Sequence, residues 1–183
     1  NTSSAASDVY KRQPEITLGV FSFNVTHEDE AKRNVFGDIR FREAMSIAIN
    51  RAELNDVGFF GEGTPQQYIG FSPKPAFVSD KWMSHATEFD AARANSLLDE
   101  IGMKDTDGDG FRELPNGDKL VLNMSFATQG IAGQTVELVG QYWADVGVQS
   151  VVKEVTPDEY RSAQSANKLD VMMWRKSQPL AIV

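Results

Sequence analysis

Residues 120–174 read LVLNMSFATQGIAGQTVELVGQYWADVGVQSVVKEVTPDEYRSAQSANKLDVMMW, and this stretch decides the fold. In its first part, 120–126, apolar and polar residues alternate, which predicts a strand with one buried face. From 132 to 146 the apolar residues recur with helical spacing, and Gly147 is placed to end that helix. Residues 148–155 are rich in valine and predict a second strand.

The end of this stretch adds one more helix and one more strand. Thr156-Pro157-Asp158-Glu159 has the pattern of a capping box with proline at the first helical position. Residues 169–174 are mostly apolar and predict a third strand. The order strand, helix, strand, helix, strand favours right-handed crossovers and helices that cover a sheet. The predicted fold class is therefore α/β, with a mixed or mostly parallel sheet flanked by helices.

The chain before residue 58 predicts one strand and one long amphipathic helix. Residues 16–23 carry β-branched and aromatic side chains and predict a strand, whereas 24–34 predict a loop or a short irregular helix. Asp38 is placed as the N-cap of a helix whose apolar face continues to Asn50 or Leu54. This segment therefore adds an amphipathic helix to the α/β pattern.

Residues 58–101 predict a long loop followed by a second amphipathic helix. Glycine and proline are frequent in 58–79, so we expect no regular element there. A loop of this length in a compact domain is usually functional or lies over another surface. Asp90 is then placed to cap a helix that continues to residue 101, with Gly102 at its end.

The composition describes one folded domain. The chain has 183 residues, of which 41% are hydrophobic and 10% aromatic, and this is enough for a packed core. We expect 15–183 to form a single α/β lobe, and the polar residues 1–14 to be disordered or added by cloning. Eighteen basic and 26 acidic residues give a net charge of −8, so the surface repels polyphosphate and no nucleic-acid partner is expected. Cysteine is absent, which excludes disulfides and thiolate metal sites.

Two histidines are the candidates for acid–base catalysis. His27 lies in a polar stretch, and His85 has no partner at metal-ligand spacing. The sequence has no G-x-S-x-G motif, no P-loop and no G-x-G-x-x-G motif at the start of a helix. The favoured interpretation is two surface histidines without a catalytic role. The alternative is a small acidic, hydrolase-like α/β enzyme that uses His85 with Asp80 or Asp90.

Residues 105–110 read DTDGDG and have the ligand spacing of the first half of an EF-hand loop. Asn116 stands at position 12, where such loops carry a bidentate glutamate. The favoured alternative is an acidic turn in which aspartates bind their own backbone. A structural calcium ion is thus the one candidate cofactor. Its ligands would be Asp105, Asp107, Asp109, the Phe111 carbonyl and Glu113.

Several aromatic residues of the 58–77 segment, together with Trp174, suit a concave binding surface. Ligands of open α/β sheets bind beyond the carboxyl ends of the strands, where irregular backbone offers polar groups among apolar faces. The alternative is that these rings pack beneath the long loop, and we favour it for most of them.

Several motifs, taken in their order along the chain, resemble one known family. Phe23-Asn24 precedes 38–51, which reads DIRFREAMSIAINR, with Asn50 in place of the aspartate that is usual before the arginine. The resemblance continues through GEGTP at 61–65 and GMKDTDGDG at 102–110, and it covers 15–174. The chain resembles the family 5 extracytoplasmic solute-binding proteins of ABC importers, which include dipeptide, oligopeptide and nickel binders.

The resemblance implies one lobe of a type II periplasmic-binding-protein-like fold. Members of the family have two lobes that close around a solute, and this chain is similar to the second lobe alone, so we expect a fragment of a longer protein. The implied function is that of a receptor and not of an enzyme. The full protein would be a monomer that delivers a small solute to the transmembrane permease subunits of an ABC importer. Its implied location is the periplasm or another extracytoplasmic site, either free or lipid-anchored.

The resemblance also implies where the solute binds. In peptide-binding relatives the tryptophan that ends the last strand precedes an aspartate that holds the amino group of the ligand. Here Trp174 is followed by Arg175, so a sugar or an anionic solute is expected as readily as a peptide. The ligand-binding residues implied by the resemblance are Asn24, Gly61, Gly63, Thr64, Trp174, Arg175 and Gln178, and the aromatic 58–77 segment adds Tyr68 and Phe71 as candidates.

Overall fold

The computed structural model describes residues 19–67, 75–127, 131–174 and 181–182. The strands are β1 Val20–Phe23, β2 Thr64–Pro65, β3 Val121–Phe126, β4 Gln149–Glu154, β5 Val171–Trp174 and β6 Ala181–Ile182. The helices are α1 Glu30–Gly37, α2 Ile39–Ile47, α3 Arg51–Phe59, α4 Asp80–Met83, α5 Ala91–Glu100, α6 Gly133–Asp145 and α7 Pro157–Ser165.

The strands form a mixed arrangement. β3 and β4 are parallel, with Val121 opposite Gln149, and α6 is the crossover between them. β1 and β5 are antiparallel, and β5 also lies beside β3. The short strands β2 and β6 pair in parallel. The prediction of an α/β fold with a mixed sheet and flanking helices is confirmed.

The core is centred on Trp143 of α6. Its indole N–H donates to the Met45 carbonyl of α2 at 3.0 Å, and its ring lies 5.4 Å from that of Phe23 in β1. Gly140, one turn earlier in α6, faces β4 so closely that a Cβ atom there would lie 2.9 Å from Ser150 Oγ. These contacts hold α6 between β1 and α2 and against β4.

The predicted helix from residue 38 to 50 or 54 is wrong in its extent, because the structure divides it into two. α2 ends at Ile47, and Asn50 then acts as the N-cap of α3, accepting a hydrogen bond from the Glu53 backbone N–H at 3.3 Å. An asparagine side chain competes with helical hydrogen bonds, so it favours a new helix start over continuation of the old one.

Two further expectations need correction. Within 24–34 we expected a loop or an irregular helix, but the regular helix α1 begins at Glu30 with Asp29 as its N-cap. Within 58–79 we expected no regular element, but Thr64–Pro65 forms strand β2. That strand pairs with residues more than a hundred positions away, so no local pattern indicates it. Residues 68–74 of this segment lie outside the described residues, as do 1–18.

The remaining predicted elements are confirmed within the described residues, where β1 covers the end of the strand predicted over 16–23. Asp90 caps α5 by accepting from the Arg93 N–H at 2.8 Å, and Gly102 follows with φ of +85°. The capping box at the start of α7 is present, with the side chains of Thr156 and Glu159 each bound to the backbone of the other. Among the described residues, no helix has the length and apolar character needed to cross a membrane.

Candidate functional site

The loop that follows α3 has a rigid and unusual backbone. The carbonyl of Asn55 accepts the N–H groups of both Phe60 and Gly61. The Asn55 side chain forms two hydrogen bonds with Gly63, donating to its carbonyl at 3.1 Å and accepting its N–H at 2.7 Å. Phe60 adopts φ of +54° and is 89% exposed. A bulky residue held in this conformation is strained, and such strain is concentrated at functional sites.

This loop holds three of the predicted solute contacts, and it is tied to a second segment. Gly61, Gly63 and Thr64 follow one another in it, and Thr64 is exposed at the start of β2. Gln67 then donates from its backbone N–H to the Met83 carbonyl at 2.7 Å, and from its side chain to the His85 carbonyl at 2.6 Å.

Most of the other predicted solute contacts cannot be assigned a place. Tyr68, Phe71, Arg175 and Gln178 lie outside the described residues. The backbone of Trp174 pairs with Val20 at the end of β5.

Asn24 is buried and its side chain is used inside the protein. Its amide nitrogen donates to the Leu169 carbonyl and to Asn167 Oδ1, each at 2.9 Å, and its oxygen accepts from Thr26. These bonds join the end of β1 to the turn before β5. The role of Asn24 as a solute contact stays a prediction.

Next to Asn24 lies a charged cluster that the sequence did not indicate. Asp170 is 1% exposed, and its carboxylate accepts from Lys32 Nζ at 3.0 Å and from the Asn123 backbone N–H at 2.8 Å. His27 Nε2 lies 3.1 Å from the same carboxylate. The expectation of a surface histidine is therefore wrong for His27, which is half-buried and belongs to this cluster.

A cavity of about 350 Å³ lies between β1, α2 and the segment at Ala86. It has apolar walls with a few polar groups, a composition typical of small-molecule sites. The apolar side is formed by Phe21, Phe23, Met45, Ile49 and Trp143.

The charged group of interest in this cavity is Arg51, the first residue of α3. Arg51 is 3% exposed and donates to the Ser46 carbonyl at 2.7 Å and to Ser46 Oγ at 2.8 Å. Its buried Nε–H has no hydrogen-bond partner among the described residues. Burial lowers the pKa of Arg51 to about 10, so the side chain remains charged at neutral pH. The shift from 12.5 corresponds to a cost of about 3 kcal/mol for holding this charge in the folded state.

Four of the five predicted calcium ligands converge in the structure. One carboxylate oxygen from each of Asp105, Asp107, Asp109 and Glu113 lies within 4.8 Å of the others. Calcium prefers such oxygen ligands, so the residues present fit the ion. The Phe111 N–H donates to Asp109 Oδ1 at 2.9 Å, which holds that part of the loop in place.

Lys119 competes for the same carboxylates. Its ammonium lies 2.7 Å from Asp107 and 2.6 Å from Asp109, and these two groups raise the pKa of Lys119. In turn, the hydrogen bond from Lys119 holds the pKa of Asp109 below its usual value. A bound calcium ion would have to displace this ammonium group.

The acidic loop is attached to the helices by Arg112, another residue that the sequence analysis missed. Its guanidinium donates to Asn95 of α5 at 2.8 Å and to the carbonyls of Met103 and Val146 at 2.6 and 3.0 Å. Gly147, with φ of +81°, lies directly against this side chain.

The comparison with protein families decides the class of the chain. The sequence model of one protein family, described as "Bacterial extracellular solute-binding proteins, family 5 Middle", matches residues 2–179. The chain belongs to this family. The resemblance found in the sequence motifs is thereby confirmed.

Several family 5 proteins are similar to the chain. The periplasmic alpha-galactoside-binding protein of Rhizobium meliloti (strain 1021) is 26% identical over 167 residues, which cover 84% of this chain and 23% of that protein. The glutathione-binding protein GsiB of Pectobacterium atrosepticum is 29% identical over 136 residues, or 74% of this chain and 22% of that protein. Among solved structures, an oligopeptide-binding protein OppA has a TM-score of 0.80 and 32% identity, and the match covers 90% of this chain and 26% of OppA.

The family 5 chain thus spans about a quarter of the length of the relatives it matches. Its α/β model agrees with the type II fold of these periplasmic binding proteins, as the sequence analysis predicted.

The alternative of a hydrolase-like enzyme receives no support from the family 5 match. His85 is exposed, and its carbonyl is bound by Gln67. Asp90, one of its two suggested partners, uses its carboxylate to cap α5, and Asp80 is the first residue of α4.

Proposed function

We propose that the protein containing this chain is the solute-binding component of an ABC-type importer. The observation that carries the proposal is the family 5 match, which extends over residues 2–179 and leaves almost none of the chain unexplained. In this role the protein binds a solute between two lobes, and additional contacts in the closed form shift the equilibrium toward closure. No chemical step is required of it.

The solute is proposed to be a peptide, a sugar or an anionic molecule. The names of the similar proteins support this range, since they include an alpha-galactoside binder, a glutathione binder and an oligopeptide binder. The hydrogen bonds of Asn55 fix the backbone at Gly61 and Gly63, next to the exposed Thr64. A fixed loop favours binding, because little conformational freedom is lost when the solute arrives.

The proposed partners are the transmembrane permease subunits of an ABC importer, which receive the solute from the closed form. The proposed location is extracytoplasmic, either free in a periplasm or held by a lipid anchor, and the proposed oligomeric state is a monomer. Calcium binding by the acidic loop also stays a prediction. An ion there would stabilise the loop and would take no part in solute binding.

The test begins with the protein purified from its complete gene. Mass spectrometry under native conditions identifies the solute that it carries, and calorimetry then measures the affinity for that solute. The isolated 183-residue chain should bind at least ~100-fold more weakly, because a lobe alone lacks the contacts of the opposing lobe. Tight binding by the isolated chain, or turnover of the solute, would contradict the proposal.

A loop variant tests the proposed contacts. Asn55→Ala removes the two side-chain hydrogen bonds to Gly63, and we expect a loss of affinity of about tenfold as the loop loosens. Asn116→Ala is the matched control, since Asn116 lies in an exposed turn and its side chain, within the part of the chain that the structure describes, bonds only to Asp118. Equal affinities of the two variants would remove the loop from the proposed site.

A further inference from the structure

The cavity at Arg51 contains a positive charge without a matching negative one. Among the described residues, Arg51 forms no ion pair, and its hydrogen bonds go only to neutral oxygens of Ser46. Glu88 is the carboxylate whose charge acts on Arg51, but it makes no salt bridge with it. A buried guanidinium normally has an anionic partner, because desolvation of the charge is otherwise unfavourable.

The other charged residues around the cavity are already engaged. Glu43 pairs with Arg93 at 3.0 Å, and Arg42 donates to the Phe36 carbonyl at 2.8 Å. Among the described residues, the cavity therefore offers an incoming anion two guanidinium groups without an ionic partner, Arg42 and the more deeply buried Arg51, and its carboxylate Glu43 is already paired.

One free position on Arg51 suits a carboxylate. Among the described residues Nε has no acceptor, but it is fully buried; Nη2 carries two hydrogens, of which Ser46 Oγ accepts one. The second hydrogen of Nη2 is left to donate to a carboxylate oxygen, and the charge of the guanidinium strengthens such a bond.

We propose that this cavity binds a carboxylate attached to an apolar group, with the carboxylate on Arg51 and the apolar group against Met45, Ile49 and Trp143. The volume of about 350 Å³ suits a single ring or a branched chain. Of the predicted solute contacts that the structure describes in full, Asn24, Gly61, Gly63 and Thr64, none lines the cavity. The inference does not rest on the proposed function.

The test titrates the 183-residue chain with 3-phenylpropanoate at pH 7, using calorimetry or amide chemical shifts in NMR spectra. We expect a dissociation constant of about 1 mM or lower, and binding of 3-phenylpropanamide at least tenfold weaker, which equals about 1.4 kcal/mol. N-acetylphenylalanine, which presents a peptide C-terminus, separates the two sources of the carboxylate. Tighter binding of this compound assigns the site to a peptide end, and weaker binding assigns it to a free acid.

Two pairs of variants locate the site. Arg51→Lys and Arg51→Met should each weaken binding of 3-phenylpropanoate at least tenfold, because lysine lacks the planar guanidinium and methionine also lacks the charge. If these variants do not fold, Ile39 provides the test, since it is exposed at the rim of the cavity and begins α2. Ile39→Glu should bind the acid at least threefold more weakly than the neutral control Ile39→Gln, through repulsion. The proposal is overturned if the amide binds as well as the acid, or if neither binds at 5 mM.

Discussion

Replacing Asp170 with asparagine tests the buried cluster in which Asp170, just before β5, binds Lys32 of α1 and Asn123 of β3. The carboxylate accepts from Lys32 at 3.0 and 3.1 Å and from the backbone and side chain of Asn123 at 2.8 and 2.9 Å. An amide of the same shape keeps an acceptor for the Asn123 N–H but carries no charge. The ammonium of Lys32 would then be left without its anionic partner in a mostly buried position.

The expected magnitude follows from the burial of the two partners. Loss of one partner of a buried ion pair costs about 3–5 kcal/mol. Because the Lys32 side chain is still 16% exposed, its ammonium can reach water, so we expect about 3 kcal/mol for Asp170→Asn. Lys32→Met should cost about 1 kcal/mol, since His27 and Asn123 continue to hold the carboxylate. In the Lys32→Met background, Asp170→Asn should then lower the free energy of unfolding by about 1 kcal/mol instead of about 3 kcal/mol. The difference, about 2 kcal/mol, is the coupling energy between Asp170 and Lys32.

The assay is urea unfolding followed by far-UV circular dichroism, with the free energy of unfolding extrapolated to water. Asp158→Asn serves as the control, because Asp158 is 94% exposed and its ion pair with Arg161 at 3.4 Å should contribute at most about 0.5 kcal/mol. The reasoning is refuted if Asp170→Asn costs less than about 1 kcal/mol. It is also refuted if the cost is the same with and without Lys32.

Four further predictions concern the helix start at α3, the glycine after α6 and, in two cases, the acidic loop. Asn50→Ala should lower the free energy of unfolding by about 1 kcal/mol in urea titrations, because the N-cap of α3 is lost. An unchanged free energy of unfolding would show that the Asn50 cap does not cause the break between α2 and α3. Gly147→Ala should lower the free energy of unfolding by about 1–3 kcal/mol, since φ is +81° and a Cβ atom would lie 3.1 Å from Arg112. An unchanged free energy of unfolding would show that Arg112 moves aside without loss of stability. In thermal melts, 1 mM calcium should raise Tm. Lys119→Ala should enlarge that increase, because the ammonium group that competes for Asp107 and Asp109 is gone. Identical melts in calcium and in EDTA would exclude a calcium site in the acidic loop. Because the pKa of Asp109 is lower in the folded than in the unfolded protein, Asp109 stabilises the fold above pH 3.8, and this contribution is lost as the pH falls through the pKa of the folded state. Lys119→Ala should reduce the loss of stability in acid, because the hydrogen bond that lowers the pKa of Asp109 is gone.

The sequence by itself determined the elements whose signals are local. The alternation in β3, the helical spacing in α5 and α6, the capping box at α7 and the glycines after helices all depend on residues within a few positions of one another. The acidic loop belongs to the same class, because its carboxylates come from nine consecutive residues and converge through the turn itself. The order of such local motifs also sufficed to indicate the family, which the match over residues 2–179 confirms.

Only the tertiary structure decided which distant residues meet. The break after α2 has a local cause in Asn50, and an asparagine three residues before a glutamate could have indicated it. In contrast, the cluster at Asp170 brings together residues up to 143 positions apart, and the burial of Arg51 depends on packing of β1 and α6 around α2. A short stretch of sequence predicts that a charged residue lies on the surface, because its burial depends on residues from other parts of the chain that form the core. The family and the acidic loop could therefore be predicted from the sequence. The burial of charged residues such as Asp170 and Arg51 is visible only in the tertiary structure, because it depends on contacts between distant parts of the chain.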